Sequence, residues 1–267
     1  MPFTLSHPAA VVPLTKRGLV LSALVVGSLA PDLPYFVPLL HQSGFSHTPM
    51  GVLLFCLPAG LAALGLFHYW IKNPMLSLLP RAHQQRLYPA AQGFSFGPLR
   101  RFGLIVLSLL LGAGSHILWD AFTHPKTWMV QRFEILRLPI LSVGSETLQV
   151  YKILQHGSSL VGALLLCYWY FKWYRQAQPV AIPANLVRSE AARIVIIFVI
   201  GLLACLAGGL SGLTNIAWIP GLLYYYQLTG EFVVSGMAAG IAELLIFSAI
   251  WQLHNAREKN SIKRSQV

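Results

Sequence analysis

Five runs of roughly twenty residues, each with no more than one charged residue, limit what this chain can fold into more than any other feature. They are Thr48 to Ile71, Phe102 to Phe122, Gly157 to Tyr174, Ala192 to Leu213 and Phe232 to Leu253. About 20 apolar residues in a helix cross a hydrocarbon core of about 30 Å. Over the whole chain only 10% of residues are charged and 55% are hydrophobic, against about 25% charged in a soluble domain. So few charges cannot cover a water-facing surface of this size. In lipid a helix satisfies its own backbone, so the expected fold is all-α, a polytopic membrane bundle of about six spans. Cys56, Cys167 and Cys205 each lie in an apolar run and are expected to be buried thiols.

The sixth span is the difficult one. Gly18 to Ala30 is short, and so is Phe3 to Leu14 on the other side of Lys16-Arg17. The two are read as a short N-terminal helical hairpin arm with the basic pair at its bend, which places His7 and Asp32 at one membrane face. The other reading is an N-terminal strand followed by one tilted span, with His7 uninvolved. The chain divides into a metal-site core over 1–174, a basic cytoplasmic linker over 175–191, and two further spans with a basic tail over 192–267.

Lys and Arg decide the orientation. The N-terminal turn, the 72–101 loop, the 172–193 linker and the tail hold two, five, four and four of them, and the opposite side holds four. This asymmetry puts the C-terminus on the cytoplasmic side of the membrane. It also explains the net charge of +11 without nucleic acid, which is not expected as a partner.

The ligand-type residues fall at the outer face. Ser115-His116-Ile117-Leu118-Trp119-Asp120-Ala121-Phe122-Thr123-His124-Pro125 ends an apolar run. A spacing of four puts His116, Asp120 and His124 on one stripe of a helix that Pro125 stops. Asp32, one of only two aspartates, ends the first outward segment, and His47 begins the next. His156 opens a later span, and His7 joins these residues if the hairpin forms. Ionisable residues inside an apolar segment are costly, which marks them as functional candidates. Imidazole and carboxylate suit zinc, manganese or iron, with Zn2+ the first choice among divalent ions. Such an ion lowers the pKa of a bound water and polarises a phosphoryl or acyl oxygen. Ser46, Thr48, Ser115 and Thr123 are candidates for orienting the ligands, and Trp119 for walling the site. Lys126, Arg132, Arg137 and Lys152 lie in the outer loop against the topology rule and form a candidate anion clamp. His41, His68, His83 and His254 are read as packing residues, and Glu243 as structural or modulatory.

The blocks MPFTLSHPA, GSLAPDLPYF, FSHTPMG, SHILWDAFTHP and YKILQHGSS resemble a bacterial multi-pass membrane family defined as a domain of unknown function. The resemblance covers residues 1–174. That family is akin to inner-membrane proteins named as metal-dependent hydrolases and, more distantly, to the zinc-dependent phospholipase C and P1 nuclease group. The resemblance implies that His7, Asp32, His47, His116, Asp120 and His124 are ligands, with His156 a further one.

The expected activity is metal-dependent hydrolysis of a phosphoester or ester in a membrane lipid or lipid-linked substrate, with Asp32 or Asp120 ligating the metal or accepting a proton. A metal-ion or proton transporter would hold its ligands near the midplane. A non-catalytic protein would use the metal as a staple. The sequence leaves the number of ions and the oligomeric state open.

Overall fold

The computed structural model describes residues 4–37, 44–143, 146–219 and 221–265. His41 lies outside them. The described chain is helical apart from one two-stranded hairpin. Five helical stretches are long and apolar enough to cross a membrane: Pro49–Leu78, Leu99–Arg132, Val150–Gln176, Glu190–Asn215 and Leu222–Glu258. A sixth apolar helix, Leu21–Phe36, is shorter.

In chain order, α1 is Pro8–Val11, α2 is Leu21–Phe36, and α3 is Pro49–Leu78. Then come α4, Arg81–Ala91, and α5, Leu99–Thr123. Two short helices, α6 (Trp128–Arg132) and α7 (Glu134–Arg137), lead to β1 (Pro139–Val143) and β2 (Glu146–Gln149). The chain ends with α8 (Val150–Gln176), α9 (Glu190–Asn215) and α10 (Leu222–Ser265).

It forms two compact units. One comprises residues 1–34, 41–64 and 95–175, and the other residues 35–40, 65–94 and 176–267.

The first unit is built on the crossing of α2 and α5. A Cβ at Gly27 would run into the backbone of Leu109, and one at Gly112 into the backbone of Leu24 and Ser28. Two glycines facing each other thus let the backbones touch, the small-residue contact that membrane helices use where lipid gives no hydrophobic drive. Leu24, Ile105, Leu109 and Ala113 are fully buried around this contact. Ser108 ties the start of α2 down, accepting from the Val20 amide at 3.0 Å.

Before α2, the chain runs through 3-10 turns over Thr4–Ser6 and Val12–Arg17, with α1 between them. It reverses at Gly18, whose φ of +81° is the left-handed conformation that favours glycine. The expected bend at Lys16-Arg17 is therefore present, with arms too short to cross a bilayer.

The outer loop of the sequence reading is not a plain loop among its described residues. It contains α6, α7 and an antiparallel hairpin, and α8 begins at Val150, seven residues before the apolar run. Val130, Leu136 and Tyr151 form its own small core.

In the second unit, α9 and α10 form a hairpin in which Gly208 abuts the backbone at Phe232 and Gly236. Ser211, Ser235 and Asn215 all donate to one oxygen of Glu231. A carboxylate in an apolar helix pair is thereby satisfied within the pair. Leu76, Leu186 and Trp251 pack together at another place in this unit. Of the cysteines only Cys56 is buried, whereas Cys167 and Cys205 are exposed. An apolar run in a spanning helix does not imply burial, because lipid-facing positions are apolar too.

Candidate metal centre

The crossing of α2 and α5 sets the site. One turn beyond Gly112, the His116 ring lies against α2, with Nδ1 2.8 Å from the Ser28 carbonyl oxygen. A carbonyl only accepts, so Nδ1 carries the hydrogen. In the neutral ring Nε2 is then a bare lone pair. It points at two carboxylates, 3.6 Å from Asp32 Oδ1 and 3.3 Å from Asp120 Oδ2. A lone pair facing two anions is repulsive unless a proton or a metal ion lies between them.

Asp32 is placed by the 3-10 turn Ala30–Asp32 that Pro31 introduces. Its Oδ2 accepts from the Thr4 hydroxyl at 2.6 Å, and its Oδ1 lies 3.3 Å from His47 Nε2. His47 ends a 3-10 turn, Gly44–His47, immediately before α3. The turn is held by Thr48, which accepts from the Gly51 amide and donates to the Phe45 carbonyl. Cys56 also donates to the Ser46 carbonyl.

Asp120 divides its oxygens between two sets. Oδ2 lies near His116 and, at 3.7 Å, His47 Nε2. Oδ1 lies 3.7 Å from His7 Nε2 and 3.6 Å from His124 Nδ1. The His7 ring stacks on His116 with centroids 4.0 Å apart.

His116 is fully buried, and His7, Asp32 and Asp120 are less than 9% exposed. Yet His7 Nε2, His116 Nε2 and Asp120 Oδ1 are buried without a hydrogen-bond partner among the described residues. Such orphaned atoms are rare in a satisfied core, and all three point into the cluster. Ligand atoms of a tetrahedral ion held at about 2.0–2.2 Å lie about 3.3–3.6 Å apart. The observed separations of 3.3–3.7 Å fit that spacing. His7, His116 and Asp120 form one group of convergent ligand atoms, and Asp32, His47 and His116 another. The donor set therefore suits a divalent ion of the zinc type.

Burial pushes the His7 imidazole down to about 4, and the neighbouring His116 acts in the same direction. At neutral pH His7 thus carries no charge and can offer a lone pair.

Of the expected residues, the structure brings together His7, Asp32, His47, His116 and Asp120, with His124 beside them, 3.6 Å from Asp120 Oδ1 but in neither convergent group. His124 arrives differently from the reading of a continuous stripe. The helix ends at Thr123, and His124 is its extended cap, with ψ 136°. A residue before proline is pushed out of the helical region, and Pro125 does this to His124. Thr127 then bonds the Ala121 and His124 carbonyls, which fixes the turn.

His156 is exposed in α8 and is not in either ligand group. Lys126, Arg132 and Arg137 are exposed and Lys152 half-buried, and among the described residues none of these four forms an ion pair. Ser46 and Thr123 lie 3.1 Å and 3.4 Å from the Nδ1 atoms of His47 and His124. Ser115 instead bonds back to Gly112 in its own helix. Trp119 donates to Ser158 on α8.

Thr4 and the Ser28 carbonyl were missed from sequence. A threonine carries no ligand signature, and a backbone carbonyl carries no sequence signature at all.

Five helices long and apolar enough to cross a membrane, with four imidazoles and two carboxylates gathered at helix ends, define a membrane-type helical fold with a candidate metal centre. More particularly, the chain belongs to the family described as a domain of unknown function, DUF4184, which it matches over residues 1–249. Neither a curated protein nor a solved structure matches it.

Proposed function

We infer that this protein is a membrane-bound metal-dependent hydrolase acting on a phosphoester or ester in a lipid or lipid-linked substrate. The observation that carries the reading is His116 Nε2 held 3.6 Å and 3.3 Å from two carboxylates, with His47, His7 and His124 around them. His47, His116, Asp32 and Asp120 would hold one ion. Asp120 Oδ1, His7 and His124 would hold a second. A divalent ion supplies Lewis acidity and a water of lowered pKa.

The chain's own residues do the rest. Ser28 fixes the tautomer of His116, Thr4 fixes the carboxylate plane of Asp32, and Ser46 steadies His47. Asp32, with one oxygen on the imidazoles and the other on a hydroxyl, is the proposed proton acceptor. Asp120 bridges the two sets. Lys126, Arg132, Arg137 and Lys152 would draw the anionic part of a substrate towards this side of the protein.

One feature favours a second reading. His47, His116 and Asp32 converge as three, and Asp120 Oδ2, 3.3 Å from His116 and 3.7 Å from His47, would make the four that close a structural zinc shell. A second ion at Asp120 Oδ1 would need His124, 3.6 Å from that oxygen, to close towards His7, which would make the three ligands usual in catalytic sites. A staple in the first set and chemistry at the second are compatible.

The test is bound metal in the detergent-purified protein, measured by mass spectrometry, together with turnover of phosphoester and lipid panels. Wild type should retain a divalent ion, and His116→Ala and Asp120→Ala should lose it. A wild type that binds no ion would end the metal reading. Tight binding without turnover of any substrate would leave the staple.

A further inference from the structure

The segment between α5 and α8 carries apolar side chains where water would not tolerate them. Trp128, Phe133, Ile135, Leu138, Ile140 and Leu141 are each between 47% and 66% exposed. They are not the outer face of a loose loop. Val130 and Leu136 are buried against Tyr151, the β1–β2 ladder pairs Leu141 with Leu148, and the Val150 amide bonds the Leu138 carbonyl at 3.2 Å. The fold thus fixes a small platform and points six large apolar groups away from it.

An exposed patch of this kind on an ordered element marks an interaction surface. Its occupant is indicated by what surrounds it. The platform is continuous at both ends with helices long and apolar enough to cross a membrane, Leu99–Arg132 and Val150–Gln176. Lys126, Arg132, Arg137 and Lys152 are interleaved with or flank the apolar groups, and residues 126–152 hold only two carboxylates, Glu134 and Glu146. Apolar side chains with a basic fringe, next to a crossing helix, match the boundary between headgroups and acyl chains.

We propose that residues 128–141 form an interfacial wedge that inserts its apolar side chains into the leaflet adjoining the metal centre and holds anionic phospholipid headgroups on Arg132 and Arg137. The wedge rests on the reading of α5 and α8 as membrane helices and not on hydrolysis. Its consequence for the proposed function is that an acidic lipid would be gathered at the leaflet where the centre lies.

The test places an environment-sensitive fluorophore on Ile140→Cys, with Leu107→Cys in α5 as the reference. The background is Cys167→Ala with Cys205→Ala, Cys56 being buried. The full-length protein is reconstituted in phosphatidylcholine vesicles with and without phosphatidylglycerol. Lipids carry a spin label at the shallow or the deep end of the acyl chain.

The label at 107 should be quenched from the deep position. The label at 140 should lose most of its fluorescence to the shallow spin label and little to the deep one. Phosphatidylglycerol carrying the shallow label should quench 140 more than labelled phosphatidylcholine does. Arg132→Gln with Arg137→Gln should abolish that preference while leaving 107 unchanged. Quenching at 107 without any lipid quenching at 140 would overturn the wedge. In that case, quenching by aqueous iodide would assign the patch to water, and protection from iodide would assign it to a second copy of the chain. No lipid quenching at either position would remove the membrane reading and the wedge with it.

Discussion

His116 is held on both sides of its ring. Its ring is fully buried, one nitrogen is committed to the Ser28 carbonyl, and the other faces two carboxylates. Thr4 does for Asp32 what Ser28 does for His116. Removing such an orienting partner typically costs about 10–100-fold in metal affinity or activity. Thr4→Val should therefore weaken metal binding by about 10-fold or more, while Thr4→Ser retains most of it, as competition with a chromophoric chelator would show.

His7 gives a pH signature. Its folded pKa of about 4 lies below the ordinary 6.5, so between those values the unfolded chain binds more protons than the folded one. The His7 contribution to metal-free stability is then complete above about 6.5 and is lost as pH falls towards 4. Thermal unfolding of the metal-stripped protein in detergent should show a melting temperature that declines through that window. His7→Gln should flatten the decline. An identical slope in the variant would place the titration elsewhere.

At the scale of elements, the site depends on how closely α2 and α5 approach. Gly112 is one turn from His116, and any side chain there meets the backbone of Leu24 and Ser28. Gly112→Val should force the helices apart, costing about 1–3 kcal/mol as overpacking usually does. It should also release the bound ion, because the Ser28 contact to His116 cannot survive the shift. A lower melting temperature together with lost metal is the expected result. Gly103, on the same helix with open space around it, should tolerate alanine with both properties retained. The end of α5 is a second such device. Pro125 forces His124 out of the helix, so this histidine approaches Asp120 from an extended cap and not from a stripe. Pro125→Ala should let the helix continue and weaken metal binding about 10-fold, read by the same chelator competition.

At the scale of the molecule, the charge asymmetry is an expectation about topology. Asp32 follows the main part of α2, His47 precedes α3, and His116 and Asp120 lie in the last part of α5, so helices of alternating direction bring these residues to one end. If the tail is cytoplasmic, that end is external. Lys126→Cys should then react with an impermeant maleimide added to intact cells, and Arg257→Cys only after lysis. Labelling of the reverse pattern would invert the topology and put the centre on the cytoplasmic side.

The sequence by itself determined the helical class and picked out most of the residues that the fold clusters. Long runs with almost no charge admit little besides helices that cross a membrane, and scarce aspartates and histidines at their ends stand out because ionisable groups are costly there. It located the turn at Lys16-Arg17 through a basic pair between two short apolar arms. Tertiary structure alone decided which of these residues meet. His156 has the same residue type and a similar place at a helix end, yet it is exposed. Thr4, with no chemical signature, bonds Asp32. The physical reason is that a ligand set is a matter of ångströms. Whether an imidazole reaches a carboxylate is set by how closely Gly27 and Gly112 let two backbones approach and by where a proline breaks a helix, and neither distance is written in the spacing of residues along a chain.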